Sequence, residues 1–265
     1  MGVLNLTPDS FSDGGCFFAS DKLHIDSVID AAAAMVEEGA HWLDLGGEST
    51  RPGAQAVSEQ EEQDRVLPVL AALVDRFDIP LSIDTSSPAL MREAAKIGAS
   101  MINDVRALRR EGAVEAVAAS NMAVCLMHMR GDPESMQANP TYKSVVDEVH
   151  AFLSDVLARA LAAGISEDRI CLDPGFGFGK TLVHNLELLG GIEHIASLAR
   201  PVLVGLSRKS MIGKITGRDI DQRDIGTSAL NTLALNAGAS ILRVHDVAAA
   251  TDVVKIWESF QAAQG

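Results

Sequence analysis

The chain has 265 residues, 47% of them hydrophobic, and a formal net charge of −14. That charge argues against a nucleic-acid partner, which needs a broad basic face, and no run approaches the roughly 20 apolar residues that span a bilayer. Three cysteines, Cys16, Cys125 and Cys171, make no CxxC pair, which points to a reducing cytoplasm and away from a metal cluster. The opening MGVLNLTPDS lacks the basic and long apolar regions of a signal peptide.

Along the chain, short runs rich in β-branched residues alternate with segments of helical period. The runs are VLNL at 3–6, HWLDLG at 41–46, LSIDT at 81–85, MINDV at 101–105, AVCLMH at 123–128, ICLD at 170–173, VLVGL at 202–206 and ILRVH at 241–245. Between the first two, Ile25, Val28, Ile29, Ala32, Met35 and Val36 repeat at i, i+3/i+4, a stripe with a helix period. The next helical segment opens with Ser58 and Glu61, a capping box, while Pro68 within it predicts a kink. Eight βα units over this length predict an α/β fold, a single (β/α)₈ barrel over 1–265. An open doubly wound sheet would need fewer strands and a nucleotide fingerprint.

In a barrel the chemistry sits where the strands end and the βα loops begin. Those positions read Asn5, Asp44, Asp84, Asn103 with Asp104, His128, Asp173, Ser207-Arg208-Lys209, and Arg243 with His245. Any one of them alone reads as a loop cap or a surface charge. Together they converge only if something polar is bound there. The basic residues Arg51, Arg208, Lys209, Arg243 and His245 suit phosphate or carboxylate, with salt bridges to the many acids as the alternative. PGFGFGKT at 174–181 fails as a P-loop, because Pro174 stands where the first glycine belongs. It reads either as a plain turn or as a substrate-facing loop whose Phe176 and Phe178 pack on a flat ring. GESTRPGA at 47–54 and TPDSFSDGG at 7–15 read as long loops over the same mouth.

NLTPDSFSDGG at 5–15, GGESTRPGA at 46–54, IDT at 83–85, INDV at 102–105, CLMHM at 125–129, LDPGFGFGK at 172–180, GLSRKSMIG at 205–213 and RVHDV at 243–247 together resemble the dihydropteroate synthase family. The blocks run in family order along the whole chain. The resemblance implies a homodimeric transferase of folate biosynthesis that joins a 6-hydroxymethyl-7,8-dihydropterin pyrophosphate to p-aminobenzoate. It implies that Asp173, Asn103, Asp84 and Lys209 meet the pterin, with Asp84, Asp173 and Lys209 catalytic. Thr50, Arg51, Arg243 and His245 would take the pyrophosphate, and Asn5 with Asp13 a Mg²⁺ ion. Phe11, Pro52, Phe178 and Ser210 would hold p-aminobenzoate. The implied reaction is dissociative, so no enzymic nucleophile is required.

Two departures stand out: the residues that usually precede the first strand are missing, and Cys16-Phe17-Phe18 makes an apolar tip on the first loop. That tip is expected to be exposed, as a lid contact or as a filter against sulfonamides, which the family binds in place of p-aminobenzoate. A pterin-binding module that passes a methyl group to a corrinoid protein is the competing reading, and a catalytically silent paralogue is another. Neither has a use for the SRK block and the two long loops.

Overall fold

A computed structural model describes residues 1–7, 17–19, 22–49, 57–131, 136 and 140–264. In chain order, β1 (Gly2–Asn5) is followed by a hairpin of β2 (Phe18–Ala19) and β3 (Lys22–Leu23), then α1 (Ile25–Glu37), β4 (Leu43–Gly46), α2 (Glu59–Arg76), β5 (Leu81–Asp84) and α3 (Pro88–Ile97). The alternation continues through β6 (Met101–Asp104), α4 (Ala113–Ala118), β7 (Ala123–Met127), α5 (Val145–Ala162) and β8 (Ile170–Asp173). It ends with α6 (Leu182–Gly190), α7 (Ile192–Ala196), β9 (Leu203–Val204), α8 (Ser210–Thr216), α9 (Asp224–Asn236), β10 (Ile241–Leu242) and α10 (Val247–Ala262). Each of the eight expected strands is present; six are shorter than their apolar runs, while β1 and β8 match theirs in length.

Strands β1, β4, β5, β6, β7 and β8 form a six-stranded parallel sheet in that order, and β9 pairs in parallel with β10. Two parallel bridges, Leu172 with Val202 and Gly2 with Val244, join the two sheets at both edges. The amide of Val3 donates to the Val244 carbonyl at 3.0 Å, and that of Val244 to the Met1 carbonyl at 2.9 Å. The sheet therefore closes into a barrel, which removes unpaired edges.

Helix boundaries follow local chemistry. Ser58 and Glu61 form the expected reciprocal cap of α2, and Ser87 caps α3 with Pro88 in its first turn. Pro68 does not divide α2, which runs through it from Glu59 to Arg76. Burial of Val66, Val69, Leu70 and Leu73 against the barrel outweighs the one backbone bond that the proline forgoes.

Helices and strands share one main core, which includes Leu4, Leu45, Ile83, Ile102 and Leu172. A separate cluster of Met101, Cys125, Cys171 and Leu203 comes from the early positions of their strands. The strand period of two carries each of these lines upward, from Met101 to Asn103 and from Cys171 to Asp173. An apolar barrel floor therefore lies beneath a polar layer.

Candidate active site

That polar layer opens into a cavity of about 700 Å³ at the C-terminal ends of the strands. Asn5, Asp84, Asn103, Asp173, Phe178, Lys209, Ser210, Arg243 and His245 all line it. Phe11, Asp13, Thr50, Arg51 and Pro52 lie outside the described residues. Thr7, Glu48 and Ser49 also line the cavity.

The deepest charges are interlocked. Arg243 donates through Nε to Asp44 Oδ2 at 2.6 Å and through Nη2 to Asp84 Oδ2 at 2.9 Å. Asn103 donates to the same oxygen of Asp44 at 3.2 Å. Asp44 is fully buried, and the structure thereby gives it a role that its place at a strand end did not reveal. Burial raises the Asp84 carboxyl above its ordinary range, against the pull of Arg243. Burial alone would lower the Arg243 guanidinium, but Asp44 and Asp84 together carry it above its ordinary value.

Asp173 sits across the cavity floor and accepts the Gly175 amide at 2.7 Å. Burial raises its pKa, while Lys209 and the Gly175 amide pull it down. Burial lowers Lys209 to about 8 despite the opposing charge of Asp173. Its Nζ donates to the Phe176 carbonyl and lies 4.8 Å from the centroid of the Phe178 ring. A lysine poised this way can carry its proton to an incoming anion or release it near neutral pH.

The other basic residues divide. His245 shares a contact of 2.9 Å between Nδ1 and Ser207 Oγ and faces the cavity. Arg208 also borders the cavity, but its guanidinium grips Asp224 at 2.8 and 3.1 Å, so the salt-bridge alternative holds for it. Its φ of 55° makes the bend that turns Lys209 inward. Two further strand-end residues are not among the cavity-lining residues. Asp104 accepts the amides of Arg106 and Leu108, as a turn cap does, and His128 pairs with Lys180.

The glycine-rich loop resolves in favour of a built wall. Gly175 has a φ of 71°, and a Cβ there would lie 1.8 Å from the His128 carbonyl; only glycine fits. Phe178 borders the cavity as expected, whereas the Phe176 ring is fully buried in the main core and offers only its carbonyl. The apolar tip of the first loop is also revised. Phe17 is not exposed but 7% accessible within the main core, its carbonyl accepting the His24 amide. Phe18 pairs with Leu23 in the hairpin, and Cys16 lies outside the described residues.

The cavity therefore gathers the carboxyls of Asp84 and Asp173 with the basic side chains of Lys209, Arg243 and His245. The family model described as pterin binding enzyme matches residues 1–245. The chain is 49% identical to the dihydropteroate synthase of Haemophilus influenzae, over 98% of this chain and 92% of that one. Among solved structures, Yersinia pestis dihydropteroate synthase in a sulfonamide drug complex superposes with a TM-score of 0.95 at 47% identity, covering 99% of this chain and 94% of that one. Xanthomonas albilineans dihydropteroate synthase with 4-aminobenzoic acid gives 0.91 at 48%, covering 99% and 92%. The chain belongs to the pterin-binding enzymes and, within them, to the dihydropteroate synthases.

Proposed function

We propose that this chain condenses 6-hydroxymethyl-7,8-dihydropterin pyrophosphate with p-aminobenzoate, releasing pyrophosphate and 7,8-dihydropteroate for folate biosynthesis. The observation that carries the reading is the buried Asp173 in one cavity with Lys209, Asn103, Asp84 and the cation Arg243. The 2-amino-4-oxo edge of a pterin presents adjacent N–H donors, and a carboxylate meets them bidentately. Asp173 is the floor carboxylate opposed by a cation, and it takes that edge. Asn103 and Asp84 meet other ring nitrogens, and Lys209 donates to the ring carbonyl.

The exocyclic C–O bond breaks with its electron pair leaving on pyrophosphate, and the amine lone pair forms the new C–N bond while a proton leaves that nitrogen. Arg243 and His245, with Thr50 and Arg51 of the second loop, stabilise the departing charge. Phe178 and the stem of Lys209, with Phe11 and Pro52, receive the amine, and Ser210 takes its carboxylate. Holding the two reactants in one cavity supplies most of the catalysis.

Asn5 lines the cavity, and Asn5 with Asp13 would hold a Mg²⁺ ion through oxygen ligands, the type that ion prefers. When bound, that ion neutralises charge on the leaving group.

The chain works as a homodimer in the cytoplasm. Support comes from exposed apolar side chains on the later helices, Val183 and Leu186 of α6, Ile215 of α8, and Ile225 and Leu233 of α9. None of the helices in the described residues is long and apolar enough to cross a membrane.

Calorimetry on Asp173→Asn tests the pterin reading. An amide cannot accept two N–H donors without a buried mismatch of about 1–3 kcal/mol, so pterin affinity should fall by roughly tenfold or more. Unchanged affinity would remove Asp173 from the site.

A further inference from the structure

We propose that Lys180, near the end of the glycine-rich loop, is a positioning residue for the aromatic-amine half of the reaction. It holds the loop so that Phe178 and the Phe176 carbonyl stay against Lys209. The inference rests on the substrate reading above, because it assigns the amine to that wall.

Lys180 is 3% accessible and is not among the residues lining the cavity. Its three donors are all spent: on His128 Nδ1 at 2.9 Å, the Gly175 carbonyl at 2.8 Å and the Phe178 carbonyl at 3.1 Å. It therefore has none to offer a substrate. Burial together with the neighbouring Lys180 charge keeps the His128 imidazole neutral, so its Nδ1 can accept. The lysine thus gathers both ends of the Gly175–Phe178 turn and ties them to the end of β7.

The rest of the loop is clamped from the same side. A Cβ at Gly179 would lie 2.5 Å from the Arg130 carbonyl, and the Tyr142 hydroxyl donates to the Gly179 carbonyl at 2.9 Å. Asp173 sits on β8, where its carbonyl accepts the His128 amide at 2.9 Å, and its carboxylate meets the loop at its base, through the Gly175 amide at 2.7 Å. Slack in the loop therefore displaces the Phe178 ring and the acceptor of Lys209 before it displaces the pterin floor. A shift of about 1 Å in such a wall costs up to a hundredfold.

Lys180→Met keeps the apolar stem and removes the donors. Its KM for p-aminobenzoate should rise by about tenfold or more, while pterin pyrophosphate affinity by calorimetry stays within about threefold. In a Phe178→Ala background the same substitution should raise that KM no further, because the ring it positions is gone. If Lys180→Met does not fold, His128→Leu should raise the same KM and His128→Gln, which keeps an acceptor, should restore most of it. Equal losses for both substrates, an unchanged KM, or full additivity with Phe178→Ala would each overturn the proposal. A parent enzyme that fails to bind the pterin at all would instead refute the substrate reading.

Discussion

Asp44 and Arg243 are 199 residues apart in the chain, yet they make a contact of 2.6 Å that fixes the centre of the site. Removing the charge from Asp44 leaves a buried guanidinium with one carboxylate instead of two, at a cost of about 1–3 kcal/mol. Asp44→Asn should accordingly lower kcat/KM for the pterin pyrophosphate by roughly tenfold or more, as steady-state kinetics would show. The distance in sequence explains why strand-end position revealed that Asp44 is polar and nothing of its partner. The same holds for His128 and Lys180, 52 residues apart. Lys209 sets a pH limit: its folded pKa of about 8 means the cation is present below that pH and lost above it. Hence kcat/KM should fall as pH rises through about 8, and a profile flat to pH 9.5 would contradict the assignment. Phe17, expected at an exposed tip, is instead a core residue. Phe17→Ala should cost about 3–5 kcal/mol in chemical denaturation and leave the ratio of sulfonamide inhibition constant to p-aminobenzoate KM unchanged.

Among the elements, the eight strands were legible because each is a short apolar run ending in a polar residue, and two faces of a parallel strand are buried in a barrel. The glycine-rich loop was legible only as a loop. Its role depends on which carbonyls press on it, and those belong to His128 and Arg130 on another strand's loop. Pro68 does not end α2, because local sterics say nothing about how much apolar surface holds a helix in place. Helix α2 also carries Glu62, buried with its pKa raised to about 7 by desolvation. An acid whose folded pKa lies above its unfolded value of 4.5 loses stability as pH climbs from there to about 7. Glu62→Gln removes that ionisation while retaining side-chain amide oxygen. It should therefore gain about 1–3 kcal/mol at pH 8 and much less at pH 5, measured by urea denaturation at both.

At the scale of the whole molecule, barrel closure brings groups from the first strand and the last into one cavity, and closure depends on the Gly2–Val244 bridge. The net charge of −14 argued against a broad polyanion-binding face but gave no hint of a local group of cations in the cavity. A local field from Arg243, His245 and Lys209 decides what binds there. The central claim is that this one cavity holds a pterin pyrophosphate and an aromatic amine together and joins them. Pyrophosphate release, followed continuously alongside 7,8-dihydropteroate formation, tests it most directly. The account predicts one pyrophosphate per dihydropteroate, no turnover when p-aminobenzoate is omitted, and loss of turnover on chelation of Mg²⁺. Sustained pyrophosphate release without the amine, or methyl transfer from a methylated folate in its place, would contradict it.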